Sequence, residues 1–253
     1  MLEAVSGIAR EAGEMAARRV GEPFRRWEKG GGTPVCEVDL ELDAFLRAEL
    51  TRLDPEAGWL SEETLDATAR IERPRLWVVD PIDGTRDYLR GRPGWCVSVA
   101  LVEERVPVLG VLDAPGRGEH WTAARGGGAF RNGERLRASG RTALPGARVP
   151  SERLPARDSD LVAVARPNSI ALRMAMVAAG EADLVATLKW AFEWDVAAAA
   201  LICEEAGAVV SGAFGQPCAF NTASGQGFGI LAAAPGIHAA AVDRLRERAL
   251  ALV

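Results

Sequence analysis

Histidine and cysteine are scarce in this 253-residue chain, with two of the first and four of the second. His120 and His238 stand apart from every other reactive pattern, so chemistry built on a histidine nucleophile or base is not expected. Cys36, Cys96, Cys203 and Cys218 are scattered, with no C-x-x-C pair and no zinc-ligand spacing; reduced thiols are expected. Long apolar runs are missing too. None approaches the ~18 residues that cross a bilayer, and the longest candidates, 196–202 and 229–234, fall well short. The first twenty residues are broken by Glu3, Arg10, Glu11, Glu14, Arg18 and Arg19, which does not fit a secretion signal, so a cytoplasmic protein with no membrane partner is expected. Positive charge is not in excess: 30 Lys+Arg face 35 Asp+Glu, which argues against a nucleic-acid polymer as partner. The 27 glycines and 14 prolines are aperiodic, which excludes a collagenous or low-complexity chain.

What is present is a globular composition, 48% hydrophobic. A chain of this length buries roughly 70–75% of its extended surface and needs no staples. Leu2, Val5, Ile8, Ala9, Ala12, Met15, Ala16 and Val20 recur at helical spacing, and Leu40 to Leu50 repeat the pattern, with Asp39 placed to cap the second helix. Short strands are expected at 58–60 and 75–79. Alternation from Cys96 to Leu112 reads as a hairpin turning at Glu103-Glu104-Arg105, and 120–123 as a further strand. Residues 139–160 lack periodicity and read as a connection between two lobes, 1–140 and 160–253, of a single catalytic unit. Beyond it come a strand (161–165), a helix (169–179), a strand (183–187), a strong helix (194–206), a strand (227–233) and a closing amphipathic helix. His238 is expected on the surface of that last helix.

The densest chemistry lies in Leu76-Trp77-Val78-Val79-Asp80-Pro81-Ile82-Asp83-Gly84-Thr85. An apolar strand delivers Asp80, Pro81 turns the chain, and Asp83 follows. Two carboxylates ~4 Å apart at an effective dielectric near 20 repel by about 4 kcal/mol. Such a pair persists most easily around cations, and hard oxygen ligands suit Mg²⁺. Gly84 leaves its N–H open to a phosphate oxygen at the start of a helix beginning at Thr85. An arbitrary D-P-x-D could simply cap a turn; the strand before it and the Gly-Thr after it favour a ligand site. Glu62-Glu63 emerges at a second strand end. Asp195 opens a nearly all-apolar helix, where it either caps the helix or points into an interior site.

Together, Asp80-Pro81-Ile82-Asp83-Gly84-Thr85, Glu62-Glu63, Trp194-Asp195-Val196-Ala197-Ala198 and Glu205-Ala206-Gly207 resemble the signatures of the inositol monophosphatase superfamily over roughly residues 25–235. The resemblance implies a mixed α/β fold, a layered α-β-α-β-α sandwich, and a phosphomonoesterase acting through metal-activated water. It implies two to three Mg²⁺ ions, with Mn²⁺ as a substitute and Li⁺ and Ca²⁺ as inhibitors. Glu62, Asp80, the Ile82 carbonyl and Thr85 would hold one ion, and Asp80, Asp83 and Asp195 a second. A looser third would lie near Glu62 and Asp83. Thr85 backed by Asp39 would orient the attacking water, with Glu63 as a further catalytic candidate and Gly84, Thr85 and Asp195 touching substrate. Lys29 falls near the place of a family lysine, and a homodimer is the family's expectation.

Substrate class is less sharply written. Arg86-Asp87-Tyr88, Ser169–Arg173 and Glu193-Trp194-Asp195 resemble the bacterial 3′(2′),5′-bisphosphate nucleotidase branch, and Lys189, Arg166 and Arg173 could meet a second phosphate. Inositol 1-phosphate is the alternative, with fructose 1,6-bisphosphate as a side activity. A haloacid-dehalogenase-type phosphatase would need a nucleophilic Asp where Pro81 stands, which excludes it. A non-catalytic metal- or phosphate-binding protein of the same fold is the reading from another class.

Overall fold

The computed structural model describes residues 1–29, 33–64 and 68–253, the side chains of Lys29 and Thr33 excepted. The place expected for the Lys29 side chain therefore lies outside the described residues. Along the chain, α1 (Leu2–Arg19) leads through β1 (Arg26–Lys29) and β2 (Thr33–Cys36) into α2 (Glu37–Leu53). The second helix starts earlier than its apolar pattern suggests. Asp39 sits in its first turn, and its carboxylate accepts the Cys36 N–H at 2.8 Å, so it caps from inside the helix.

β3 (Gly58–Ser61), β4 (Arg75–Asp83), the single-turn α3 (Thr85–Tyr88), β5 (Cys96–Glu103), β6 (Val106–Ala114), β7 (Glu119–Ala124), β8 (Gly128–Arg131) and β9 (Glu134–Arg135) follow. The seven strands form one sheet in chain order, antiparallel except for β3 beside β4. The β5–β6 turn is two residues, not three: Glu104 and Arg105 both take positive φ, the geometry that matches strand twist in tight hairpins.

The connection after β9 holds the small parallel pair β10 (Arg148–Pro150) and β11 (Val162–Val164). Then come α4 (Ile170–Ala178), β12 (Leu184–Phe192), α5 (Glu193–Glu205), β13 (Val209–Ser211), β14 (Gln226–Ala233) and α6 (His238–Leu250). β12, β14 and β13 make a second, antiparallel sheet.

Three apolar clusters hold five layers together. α1 and α2 cover one face of the large sheet through Val5, Ala9, Leu42 and Leu46 against Trp77, Val79 and Val99. α4 and α5 fill the space between the other face and the second sheet, with Leu172, Met174, Leu201 and Ile202 against Val78, Leu112 and Ile230. α6 closes the outside through Ile237, Ala241 and Val242 against Leu231 and Ala233. The result is the α-β-α-β-α sandwich that the resemblance implied.

α5 is the central beam. Residues 196–203 are all buried, so the helix is apolar on every side, as a fully enclosed helix must be. Its alanines let it lie directly on β6, where Gly110 leaves no gap: a Cβ there would stand 2.7 Å from the Ala198 carbonyl oxygen. Gly110→Ala is expected to cost about 1–3 kcal/mol by overpacking, read as a lower urea midpoint at unchanged slope.

The histidines are structural. His120 on β7 bridges Asp113 of β6 at 2.7 Å and Ser6 of α1 at 2.6 Å, tying the first helix to the sheet. His238 is half-buried and hydrogen-bonded to Ser211 at 2.8 Å, which corrects its expected place on the open surface. Its loss of solvent contact lowers its pKa. All four cysteines are free thiols, three of them buried.

Candidate metal centre

β4 runs on through Pro81 to Asp83, further than its apolar run suggests. Opposite β5, Asp80 pairs with Ser98 and Asp83 with Cys96, so three steps on β4 match two on its neighbour. That bulge accommodates a proline, which has no N–H for the ladder, inside a central strand. It also re-aims the side chains after Asp80. The Asp80 carboxylate accepts the Ile82 N–H at 2.9 Å, and the Ile82 carbonyl accepts the Thr85 hydroxyl at 3.1 Å. Gly84 carries a φ of 97°, and a Cβ there would lie 2.7 Å from the Gly94 carbonyl oxygen and 2.9 Å from the Ser169 nitrogen. Conformation and space both require glycine at this turn.

Two further segments arrive at this strand end. Glu62 follows β3, with its N–H on the Val79 carbonyl at 3.3 Å. Asp195 lies in the first turn of α5. Carboxylate oxygens of Glu62, Asp80 and Asp195 converge to within 4.8 Å of one another. Burial raises the Asp80 pKa well above the usual carboxylate range, and the charges of Glu62, Asp83 and Asp195 raise it further. Asp195 keeps some exposure on the cavity wall, yet its pKa is also raised, first by lost solvation and then by Asp83 and Glu62. Asp80 and Asp195, each resisting ionisation beside its acidic neighbours, form with Glu62 a cluster that could hold a cation.

Asp83 lines the same cavity but faces differently. Its carboxylate accepts the Ser169 hydroxyl and the Ala171 N–H, the latter at 2.8 Å, and so grips the start of α4. Burial still outweighs these bonds and raises its pKa. Nothing in the sequence pattern around 169–171 announces this partnership, because it joins a strand end to a helix start that only the fold makes neighbours.

The cavity measures about 430 Å³. Glu62, Asp80, Asp83 and Asp195 line it together with Ile82, Gly84 and Thr85. Lys189, Arg86 and Arg173 also reach it. Arg173 is half-buried, which lowers its pKa, and it donates to the Ser169 and Asn168 carbonyls at 3.2 Å. Arg166 is elsewhere: it lines a neighbouring cavity and pairs with Glu152 at 3.5 Å. Asp39 is buried behind the site, and its charge is felt at Asp80. Glu63 is half-buried next to Glu62.

Other acids of the motifs serve the frame. Glu193 accepts the Asn221 and Thr222 N–H groups at 2.7 and 2.8 Å, and Glu205 accepts those of Gly126 and Gly128 at 2.8 and 2.7 Å. One carboxylate at each end of α5 thus pins a loop to the beam.

The raised carboxylate pKa values set a pH dependence for the metal-free protein. The folded state binds more protons than the unfolded one above pH ~4, so stability falls as pH rises through and beyond that point. Differential scanning calorimetry in chelator is expected to show a melting temperature declining from pH 4.5 to 7.5. Mg²⁺ should reverse the trend, because ionised carboxylates bind it more tightly.

The model of the inositol monophosphatase family matches residues 1–252. A Nus factor SuhB from Xylella fastidiosa is 38% identical over 221 residues, covering 80% of this chain and 78% of that protein. An inositol-1-monophosphatase from Mesorhizobium japonicum is 35% identical over 227 residues, covering 83% and 85%. Among solved structures, the Thermotoga maritima IMPase superposes with a TM-score of 0.87 at 28% identity, covering 100% of this chain and 99% of that one. No helix among the described residues is long and apolar enough to cross a membrane. With its acidic cluster at the end of the central sheet, the chain belongs to the inositol monophosphatase family, whose members are Mg²⁺-dependent phosphomonoesterases.

Proposed function

We propose that the protein hydrolyses a small phosphate monoester that carries a second anionic group, with a 3′(2′),5′-bisphosphate nucleotide such as 3′-phosphoadenosine 5′-phosphate as the substrate class. The observation that carries this reading is the sharing of one cavity by the carboxylate cluster and by Lys189, Arg86 and Arg173. Holding cations needs only the acids. Side-chain cations on the same cavity suit a further negative charge on the substrate, and Arg173 lies near enough for its charge to be felt at Asp83 and Asp195.

The donor set fits Mg²⁺: hard carboxylate oxygens, converging and short of counter-charge. Glu62, Asp80 and Asp195 would hold it, with Asp83 and the Ile82 carbonyl on the same wall. When bound, the cation supplies positive charge beside the ester oxygens and a more acidic water. The rest falls to the chain's own groups. The Thr85 hydroxyl donates a hydrogen bond to the Ile82 carbonyl, which leaves its lone pairs to accept from and orient the attacking water, and buried Asp39 stands behind it. Glu63 is the further base candidate. Gly84 offers backbone to the phosphate, and Lys189, on the same cavity, meets the substrate. Two to three ions, replacement by Mn²⁺, inhibition by Li⁺ and Ca²⁺, and a homodimer complete the proposal.

Inositol 1-phosphate is the second reading, favoured by relatives that bear the name inositol-1-monophosphatase. Steady-state kcat/KM for 3′-phosphoadenosine 5′-phosphate, inositol 1-phosphate and fructose 1,6-bisphosphate, measured side by side with Mg²⁺, separates the two. Lys189→Ala is expected to lower the bisphosphate value by about 10-fold, the loss of one charge-assisted contact, and to leave inositol 1-phosphate within about 2-fold. Preference for inositol 1-phosphate in the wild-type protein would overturn the nucleotide reading.

A further inference from the structure

β12 changes its face partway along. Thr187 pairs with Ile230 and Trp190 with Phe228, so Leu188 and Lys189 stand opposite the single residue Gly229. Gly229 takes a φ of 69°, and a Cβ there would meet the Thr187 carbonyl oxygen at 2.9 Å, so the bulge depends on that glycine. A bulge breaks strict alternation and re-aims side chains. Here Lys189 and Trp190, adjacent in sequence, both reach the cavity that holds the carboxylates.

Trp190 is 61% exposed, the most exposed tryptophan of the described residues. Its ring meets Phe228 edge-on at 5.7 Å, and Phe228 stacks on Phe214 at 5.9 Å. Phe192, 38% exposed, stacks on Trp194 at 4.4 Å and 8°, and Trp194 adjoins Asp195. Trp190, Phe192 and Trp194 thus line the same cavity as the acidic cluster. A large ring left in water, braced by neighbours and bordering a polar cleft, is an unspent contact surface. It carries no charge, so neither the metals nor a phosphate explains it.

Building on the phosphatase reading above, we infer that Trp190 is a specificity residue that stacks a planar base on the leaving group, while Lys189 meets that substrate's second phosphate. The recognised class is a nucleoside bisphosphate, distinguished from a sugar or polyol phosphate by its flat ring.

The test uses the Mg²⁺-loaded protein and two substrates of equal charge: 3′-phosphoadenosine 5′-phosphate, and 1-deoxyribose 3,5-bisphosphate, the same sugar without a base. Trp190→Ala is expected to lose about 10-fold in kcat/KM on the nucleotide, the loss of one base–aromatic stack. The loss should fall on KM with kcat retained, and the base-free substrate should be unaffected. Trp190→Phe should restore most of the difference. Equal losses on both substrates, or none on either, overturn the stacking role while leaving the phosphatase intact. Dissociation of Trp190→Ala into smaller species by sedimentation, with rates on both substrates falling together, assigns the ring to a subunit contact and also overturns it. A wild-type protein inert toward both compounds but active on inositol 1-phosphate sinks the nucleotide reading itself.

Discussion

Asp195→Asn is expected to lose about a thousandfold or more of Mg²⁺-dependent phosphate release, while its metal-free form melts higher than the wild type. The first half follows from ligand geometry. Asp195 supplies one of three converging carboxylates, and the several kcal/mol that a bound cation contributes to the transition state translate to roughly that factor. The second half follows from the raised pKa values. Asp195 adds to the charge that Asp80 must bear without solvent, so a neutral amide of the same shape relieves repulsion. A gain of about 1–2 kcal/mol corresponds to roughly 2–8 °C in a chain of this size. Saturating Mg²⁺ should cancel or reverse the gain. Calorimetry with chelator and with Mg²⁺, beside a phosphate-release assay, checks both. A metal-free variant that melts lower would mean that Asp195 is a structural cap and no ligand.

Asp83→Ala is expected to behave in the opposite way on stability. Activity should again fall steeply, since Asp83 lines the cavity beside the cluster. Its carboxylate, however, also accepts the Ser169 hydroxyl and the Ala171 N–H. Removing it leaves buried donors unsatisfied at the start of α4 and detaches that helix from the end of β4. The cost is about 2–4 kcal/mol for two bonds to a charged acceptor, whether or not Mg²⁺ is present. A urea titration of the two variants side by side is decisive: one midpoint rises in chelator and the other drops. Equal midpoints would show that Asp83 is only a metal ligand, as its spacing from Asp80 first suggests.

The contrast between these two acids separates what a local pattern carries from what packing adds. Asp80 and Asp83 stand out in sequence because a carboxylate pair after an apolar strand is costly without cations. Their shared fate does not follow. The β4 bulge at Pro81 separates their directions, sending Asp80 toward Glu62 and Asp195 and Asp83 toward α4. Asp39 is legible as a cap, and its position inside the first turn of α2 follows from a capping box with Cys36 that apolar spacing cannot register. Lys189 is legible as a spare cation; Trp190 is not, because strict alternation along β12 would put the two on opposite faces. Both reach the cavity because this end of β12 borders it at every residue from Lys189 to Phe192. Arg166 is the reverse case: a cation near in sequence to Arg173 turns to Glu152 instead.

The amino-acid order alone decides where this chain is helical or extended, which faces are apolar, and which acids are too expensive to keep without a cation. Those are local properties, set within a few residues by periodicity, capping and charge. Bringing Glu62, Asp80 and Asp195 within 4.8 Å is not local. It depends on α5 lying flat on β6 at Gly110, and on the parallel pairing of β3 with β4 that sets two strand ends side by side. The place of Lys189 and Trp190 on the cavity likewise depends on how β12 lies against β14. Side-chain convergence is a product of register and packing between distant segments, and these exist only once the layers have closed.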